Sequence, residues 1–254
     1  MAAFLGDAGT NRRTAARCGV DARPSSTDEQ SVPMDAPPPP RVARPVMLHR
    51  WTHQTFLHWP YPPEVVQRLL PAELEVETFD GQAWVGLLPF LMEKVRVPGV
   101  PPLPWASRFP ETNLRTYVSG PDGQSAIWFF SLDAARLGAV LAARATYWLR
   151  YCWADMAVEQ DGARVRYRSS RRWPGPRGAH CRATIEVGDL LDSGHVTELD
   201  HFLTARYVLY TVIANRLAHA HAEHGAWPWP GPEWWRWTRT SSRRESCPPL
   251  ATHH

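Results

Sequence analysis

Residues suited to ligand chemistry recur at every second position of the segment FPETNLRTYV, residues 109–118. They are Glu111, Asn113, Arg115 and Tyr117. Side chains two residues apart on a β-strand share a face, so the segment predicts a strand with a carboxyl, an amide, a guanidinium and a phenol on one side. That side is either the solvated surface of a sheet or the wall of a binding site.

The two charged groups of this segment are too far apart on a strand to pair with each other. Arg115 lies four positions after Glu111, which corresponds to about 13–14 Å along a strand. An unpaired charge is costly to bury. If this face is buried, each group therefore needs a partner from another strand or from a ligand.

Amine catalysis has one candidate, because Lys94 is the single lysine among 28 Lys and Arg residues. Its neighbours in EKVRV predict a strand on which Lys94 points away from Val95, most simply toward water. The cysteines, which form no close pair and no Cys/His zinc spacing, are Cys18, Cys152, Cys181 and Cys247. This pattern argues against a disulfide framework and favours a reducing, cytoplasmic location.

Composition is compatible with one well-formed hydrophobic core. The chain has 254 residues, of which 44% are hydrophobic and 21% are charged, with a net charge of +3. Its 13 Trp and 25 Pro favour strands and loops over a helix bundle. No apolar run reaches the roughly 18 residues of a membrane-spanning helix, so we predict no membrane partner.

The chain divides into three regions by composition. Residues 1–45 are rich in Ala, Arg, Ser, Asp and Pro and predict a disordered leader. Residues 46–230 predict one domain. Residues 231–254 form an irregular tail, rich in Arg, Ser and Trp without a hydrophobic period. If WRWTRTSSRRESCP is written in GC-rich codons of our choosing, a one-base shift yields the helix-like VEVDEDLVAAGVLP, so we hypothesise that the tail is out of frame.

Turn residues divide the domain into short strands. Three hairpins are predicted, at Asp80-Gly81, at SGPDGQ (119–124) and at Gln160-Asp161-Gly162. Proline at its start predicts a helix within residues 61–71, and Asp133 is suited to cap a second helix through ARLGAVLAARATYWL. Residues 198–210 predict a short helix that enters a last strand or helix. The fold class predicted is α+β, a single and mainly antiparallel domain.

Several motifs in this order carry a family resemblance. They are FLHWPYPPEVVQRLLPAELEVETFDGQAWVGLLPF (56–90), FPETNLRTYV, WFFSLDA (128–134), VRYRSSRR (165–172), FLTARYVLY (202–210) and HGAWPW (224–229). Together they resemble the YqjF-like family of bacterial proteins, also called domain of unknown function 2071, over about residues 48–230. That family is placed in the acetoacetate decarboxylase-like superfamily. The resemblance therefore implies an antiparallel β-barrel with flanking helices and an internal cavity.

The resemblance also bears on the chemistry. The best-known enzymes of this superfamily use a buried lysine that forms a Schiff base. The resemblance aligns that lysine with Tyr151, which cannot form an imine, and so argues against decarboxylase chemistry. It aligns the superfamily's catalytic glutamate with Glu111, which favours the binding-site wall for the opening segment. The pattern Y-x-S-x-R implies that Arg171 enters the cavity and holds an anion.

Two other clusters have a structural explanation that we favour over a functional one. The alternating Arg164, Arg166 and Arg168 could bind RNA, but a solvated outer face is the simpler interpretation, and we predict no nucleic-acid partner. His219 and His221 could hold a metal ion, but an edge position is favoured, and we predict no metal.

A hydrolase triad is also disfavoured. Ser131 and Asp133 could join His180 or His195, but no G-x-S-x-G nucleophile elbow is present.

These observations predict a cytoplasmic protein that binds a small anionic organic ligand in a barrel cavity, without a Schiff-base lysine and without a cofactor. The predicted catalytic residues are Glu111 and Arg115, and the predicted ligand-binding residues are Asn113, Tyr117, Tyr151 and Arg171. The alternative is a non-catalytic structural or interaction protein whose cavity is filled by its own side chains. The sequence leaves the oligomeric state open.

Overall fold

A computed structural model describes residue 42 and residues 45–103, 105–175, 178–187 and 197–224. The predicted leader lies almost wholly outside the described residues and the predicted tail wholly outside them, so both stay predictions. The described part contains twelve strands in one sheet and three helices.

The elements follow one another as short strands broken by helices. The first strands are β1 (Leu48–Thr52), β2 (Leu57–Tyr61), β3 (Glu75–Val76), β4 (Thr78–Phe79), β5 (Gln82–Arg96) and β6 (Phe109–Ser119). The later strands are β7 (Ser125–Ala134), β8 (Tyr151–Asp161), β9 (Arg164–Trp173), β10 (His180–Glu186), β11 (Val208–Ile213) and β12 (Arg216–His221). The helices are α1 (Pro63–Gln67), α2 (Leu137–Tyr147) and α3 (Glu198–Thr204).

The sheet is mainly antiparallel, as predicted. Its main path is β1-β5-β6-β7-β8-β9-β10, and β2 and β4 add to β5. The pairs of β7 with β8 and of β7 with β11 are parallel. The parallel step from β7 to β8 is possible because α2 lies between these strands in the chain and returns it to the same end of the sheet.

The predicted hairpins are confirmed. Asp80 and Gly81 both have positive φ angles, 51° and 71°, as a two-residue hairpin turn requires. The segment at 119–124 joins β6 to β7, and Gly162, with a φ of 57°, lies in the turn between β8 and β9. Residues 208–213 form a strand, which settles the choice left open for the end of the domain.

The helices differ in detail from the prediction. The helix within 61–71 spans only Pro63–Gln67. The second helix begins at Leu137, so Asp133 does not cap it and lies instead in β7. The third has a capping box, in which the Thr197 hydroxyl accepts from the Asp200 amide and the Asp200 carboxylate accepts from the Thr197 amide.

The sheet curls until strands from its two ends touch. Leu57 of β2 packs with Val165, Tyr167 and Ile185 of the distant β9 and β10. The Tyr167 hydroxyl lies 2.9 Å from Oγ1 of Thr55 and donates to the backbone carbonyl of His53 at 2.6 Å. His53 and Thr55 both lie in the loop between β1 and β2. Side-chain contacts thus close a gap that no backbone ladder spans in the described residues.

Strand β6 has two buried faces. Paired residues of neighbouring strands share a face, so Glu111 lies on the side of Phe90 and Ala134. We call this side the Glu111 face; α2 covers one end of it through Val140. Thr112 lies on the other side together with its partner Asp133, and we call that side the Asp133 face.

Candidate functional site

Glu111 is the most deeply buried carboxyl group in the described part of the chain. It is 2% exposed, on the central strand β6, and no described cation pairs with it. The Tyr151 hydroxyl lies 3.2 Å and 3.3 Å from its two oxygens and donates a hydrogen bond shared between them. The segment 109–118 therefore faces the interior at Glu111, and the group that contacts the Glu111 carboxyl is the neutral hydroxyl of Tyr151.

Burial raises the pKa of Glu111 to about 8, because desolvation disfavours the charged form. Hydrogen bonds from Tyr151 and Asn113 pull the pKa in the opposite direction but do not offset desolvation. At pH 7 the protonated form therefore predominates. A protonated carboxyl can donate a hydrogen bond, and it does not repel an anion.

Tyr151 begins β8 and is brought to Glu111 by the parallel pairing of β8 with β7. Burial, followed by the nearby Glu111, raises the pKa of Tyr151 well above its usual value, so the phenol stays neutral and remains a donor. The resemblance placed the Schiff-base lysine at this position. Here a phenol occupies it and contacts the glutamate.

Two buried polar atoms on the Glu111 face have no hydrogen-bond partner among the described residues. They are Oδ1 of Asn113 and Nε of Arg115. Arg115 is 7% exposed, so its Nε–H is a buried donor, and the Asn113 oxygen is a buried acceptor. Buried polar groups in native proteins are nearly always satisfied, and exceptions often mark the position of a water molecule or ligand.

The other end of the same face is held by α3. Nη2 of Arg115 donates to the Leu203 carbonyl at 2.9 Å, and the Tyr117 hydroxyl donates to the same carbonyl at 2.8 Å. His58 lies 2.7 Å from the Tyr117 hydroxyl. The single phenolic proton goes to Leu203, so Nε2 of His58 must be the donor to Tyr117.

This network makes Tyr117 and most of Arg115 part of the framework. Tyr117 is fully buried, and its hydroxyl receives a second bond from Arg115 at 3.3 Å. Burial, followed by the nearby Arg115, lowers the pKa of His58 to about 3, so the imidazole is neutral. His58 crosses Gly86, where a Cβ would lie 2.6 Å from its ring nitrogen. The lack of a side chain at Gly86 thus makes room for the imidazole.

Arg171 does not lie with Glu111, Asn113 and Tyr151. It forms an ion pair with Asp133, in which Nη2 and Nε lie 2.6 Å and 3.1 Å from Oδ1. The two side chains are 9% and 11% exposed. From the sequence we considered Asp133 only as a helix cap and as a member of a hydrolase triad. The ion pair could have been found by asking which acidic residue accompanies Arg171 when this arginine is buried.

The remaining candidates from the sequence do not assemble into sites. Arg164, Arg166 and Arg168 are exposed, as predicted, and Glu159 and Asp161 of β8 stand opposite two of them. His219 and His221 are exposed on β12, whose single partner among the described strands is β11. In the part of the chain that the structure describes, no three metal-ligating side chains converge.

The hydrolase triad also fails to form where it can be assessed. Asp133 pairs with Arg171, while His180 is exposed and bonds to the carbonyl of Gly178. His195 lies outside the described residues. Lys94 is exposed, as predicted, at a bulge of β5 where its φ is 53°. No described helix has the length and apolar character needed to cross a membrane.

Comparison with known proteins places these observations in a family. The profile of DUF2071, described as an uncharacterised conserved protein, matches residues 49–252. The match runs past residue 230, where we placed the end of the domain. The protein YqjF of Bacillus subtilis (strain 168) is 38% identical over 182 residues, which cover 72% of this chain and 74% of YqjF.

A solved structure supports the fold. Acetoacetate decarboxylase from Legionella pneumophila superposes with a TM-score of 0.50 at 13% identity, covering 79% of this chain and 78% of that one. An acetoacetate decarboxylase-like enzyme from Sphingomonas wittichii RW1 gives a TM-score of 0.47 at 14% identity over 65% of this chain and 64% of its own length. The chain belongs to the DUF2071 family and has the α+β fold of the acetoacetate decarboxylase-like proteins.

Proposed function

We propose that the protein binds a small organic anion on the Glu111 face. The observation that carries this proposal is the pair of unpartnered buried atoms, Nε of Arg115 and Oδ1 of Asn113, on the same strand face as a carboxyl group that is mainly protonated at neutral pH. The Arg115 Nε–H suits a carboxylate oxygen, because charge-assisted hydrogen bonds are the stronger kind.

The two unpartnered atoms also suggest what else the ligand carries. Oδ1 of Asn113 is an acceptor, so it calls for a donor such as a hydroxyl group. Positions 113 and 115 are about 6–7 Å apart along a strand, a distance that a hydroxy acid of three or four carbons can bridge. Protonated Glu111 adds a donor to the same region. The ligand class we propose is therefore a short hydroxycarboxylate.

Glu111 is the residue we propose as acid/base or ligand anchor, and Tyr151 supports it. Arg115 and Asn113 hold the ligand, while Tyr117 acts through the position it gives Arg115. These contacts require only that the ligand binds. If the protein also catalyses a reaction, the proton of Glu111 is the one that is transferred. The residue that replaces the superfamily lysine, Tyr151, supplies no amine for a covalent intermediate.

The test compares matched ligands by calorimetry at pH 6.5. 3-Hydroxybutyrate and acetoacetate have the same carbon skeleton, as do lactate and pyruvate, and only the hydroxy acid of each pair donates to Asn113. We expect the hydroxy acids to bind about tenfold more tightly, since a hydrogen bond to a buried group is worth roughly 1 kcal/mol or more. A ligand at 100 times its Kd should add about 2.7 kcal/mol of stability.

Variants connect the binding to the site. Asn113→Leu should abolish the preference for the hydroxy acid, and Glu111→Gln, which stays neutral at all pH values, should retain binding. Glu159→Gln, on the exposed face of β8, is the matched control. If none of these acids binds, or if Asn113→Leu binds them unchanged, the proposal is wrong.

The second candidate is the non-catalytic protein with a filled interior. It is favoured by the network around Tyr117, which is fully buried and fully bonded within the protein. In that case 3-hydroxybutyrate should leave the free energy of unfolding unchanged both in the unmodified protein and in Asn113→Leu, because no ligand reaches the Asn113 acceptor. Urea unfolding with and without 3-hydroxybutyrate separates the two candidates.

We also propose a reducing, cytoplasmic location. Cys152 and Cys181 are buried and form no disulfide bond in the described part of the chain. Burial raises the pKa of the Cys152 thiol to about 11, which makes it a poor thiolate. Buried thiols that form no disulfide bond are compatible with the cytoplasm.

A further inference from the structure

A cleft that Glu111 does not line lies between the start of α2 and the end of β9. Its volume is about 800 Å³, which is within the range of small-molecule sites. The residues that line it include Leu137 and Leu141 of α2, Trp153 of β8, and Arg171, Arg172 and Trp173 of β9. None of the residues proposed above on the Glu111 face is among them.

The walls of the cleft are aromatic and aliphatic. Trp153 and Trp173 are directly paired across β8 and β9, so their indoles lie on the same side of the sheet. Trp173 is 45% exposed and Leu141 is 50% exposed. Large apolar side chains left exposed together around a concavity are typical of a binding site.

A bulge brings two arginines to this cleft. Opposite Trp153 and Ala154, the register of β9 shifts, so that Arg172 is an extra residue between Arg171 and Trp173. Successive side chains of a regular strand point to opposite faces, whereas here Arg171 and Arg172 both line the cleft. Bulges commonly redirect side chains beside functional sites.

Both guanidinium groups have capacity for a ligand. Arg171 uses Nε and Nη2 for Asp133, and its Nη1 has no hydrogen bond with any described residue. Arg172 pairs with Asp155 at 3.1 Å, but the side chains are 56% and 45% exposed, so this pair is weak. A third guanidinium, that of Arg144, lies over the Trp173 ring at 5.3 Å. Three arginines against two aspartates leave a positive charge here.

We propose that this cleft binds a small aromatic carboxylate. The aromatic ring would lie against Trp153 and Trp173, with Leu141 at its edge. The carboxylate would accept from Nη1 of Arg171 and from Arg172, which releases Asp155 to water. An anion with one charge matches the net charge of the cleft, and the site is independent of the proposed hydroxycarboxylate site.

The experiment titrates the full chain with phenylacetate, phenylacetamide and acetate and follows binding by calorimetry and by ligand-observed NMR. Phenylacetamide keeps the ring without the charge, and acetate keeps the charge without the ring. We expect phenylacetate to bind at least about tenfold more tightly than either, because each analogue lacks one half of the contacts. If phenylacetate binds with the lowest binding free energy per non-hydrogen atom that is typical of small-molecule ligands, its Kd is about 10 mM.

Variants assign the binding to this cleft. Arg172→Gln and Trp173→Leu should each weaken phenylacetate binding, by about tenfold and about fivefold respectively. Arg168→Gln, an exposed arginine on the same strand, is the control and should change binding by less than about twofold. Glu111→Gln should leave phenylacetate binding unchanged, so failure of one proposal does not decide the other.

Three results would overturn the proposal. The first is a Kd for phenylacetate weaker than about 10 mM. The second is equal binding of phenylacetate and phenylacetamide, since the arginines would then play no part. The third is unchanged binding by both cleft variants. Circular dichroism of each variant verifies that it is folded.

Discussion

Two buried carboxyl groups on neighbouring strands show how a partner decides the state of a charge. Glu111 of β6 and Asp133 of β7 are 2% and 8% exposed, and they lie on opposite faces of the sheet. Asp133 receives two hydrogen-bonding nitrogens from Arg171, whereas Glu111 receives a neutral hydroxyl from Tyr151.

Burial raises the pKa of both groups, but only Asp133 has a cation to oppose it. The pKa of Asp133 stays above its ordinary value, because desolvation outweighs the guanidinium of Arg171, but the bidentate ion pair with Arg171 favours the charged form of the aspartate. Without such a partner, the pKa of Glu111 rises to about 8 and the glutamate holds its proton. One sheet thus carries a fixed ion pair on one face and a carboxyl that can give up a proton on the other.

The largest expected effect comes from removing the cation. Arg171→Met should destabilise the protein by about 3–5 kcal/mol at pH 7, because it leaves Asp133 buried and charged without a partner. Lowering the pH protonates Asp133 and should reduce this loss. Urea unfolding at pH 5 and pH 7 measures both effects.

Matched variants sharpen this result. Arg172→Met removes the exposed pair with Asp155 and should cost less than about 1 kcal/mol. Asp133→Leu combined with Arg171→Met should recover most of the lost stability, because no isolated charge remains. Equal losses for Arg171→Met and Arg172→Met would show that the Asp133 pair is solvated.

The next effect is the pH dependence that Glu111 confers. Its folded-state pKa of about 8 exceeds the ordinary value of 4.5, so the folded protein holds a proton that the unfolded chain releases. The resulting stabilisation is complete below the ordinary pKa and is lost as the pH rises through 8. Between pH 5 and pH 8 the contribution should fall by on the order of 3 kcal/mol.

Glu111→Gln removes this titration and should flatten the dependence over the same interval. Glu159→Gln, an exposed glutamate on β8, should behave like the unmodified protein. Thermal unfolding across the pH range is sufficient to compare the three proteins. Parallel curves for Glu111→Gln and the unmodified protein would mean that Glu111 is already ionised at pH 5.

A smaller effect follows from the phenol that contacts Glu111. Tyr151→Phe removes the donor and should cost about 1–2 kcal/mol at pH 6. The loss should be larger at pH 9, because the hydrogen bond favours the ionised form of Glu111. Tyr207→Phe is the control, since the Tyr207 hydroxyl makes no hydrogen bond with a described residue. A loss that does not vary with pH would separate Tyr151 from the Glu111 titration.

The smallest expected effect is the absence of a covalent adduct. Lys94 is exposed at a strand bulge, so no apolar pocket surrounds its amine to activate it, and acetoacetate and borohydride should leave no reduced adduct. Mass spectrometry of the treated protein measures it, with acetoacetate omitted in the control. A stoichiometric adduct on Lys94 would move the chemistry back to an amine and away from Glu111.

The sequence by itself determined the local features of this protein. The hairpin turns at Asp80-Gly81 and Gly162 follow from residues that tolerate positive φ angles, and the mainly antiparallel fold follows from short strands between such turns. The motifs identified the family, and the composition left Lys94 as the single lysine available for amine chemistry. The alternation in 109–118 correctly placed Glu111, Asn113, Arg115 and Tyr117 on one face.

Only the tertiary structure decided what covers each face and which groups meet. Both faces of β6 are buried. The alternation of residue types along β6 therefore could not indicate which face is apolar and which is solvated. The partners come from distant parts of the chain: Tyr151 is 40 residues from Glu111, Arg171 is 38 from Asp133, and Leu203 is 88 from Arg115. A two-residue period states which side chains share a face, but the curl of the sheet and the placement of α2 and α3 determine their neighbours. Those neighbours, through desolvation and charge, set whether a carboxyl in this protein is an ion or an acid.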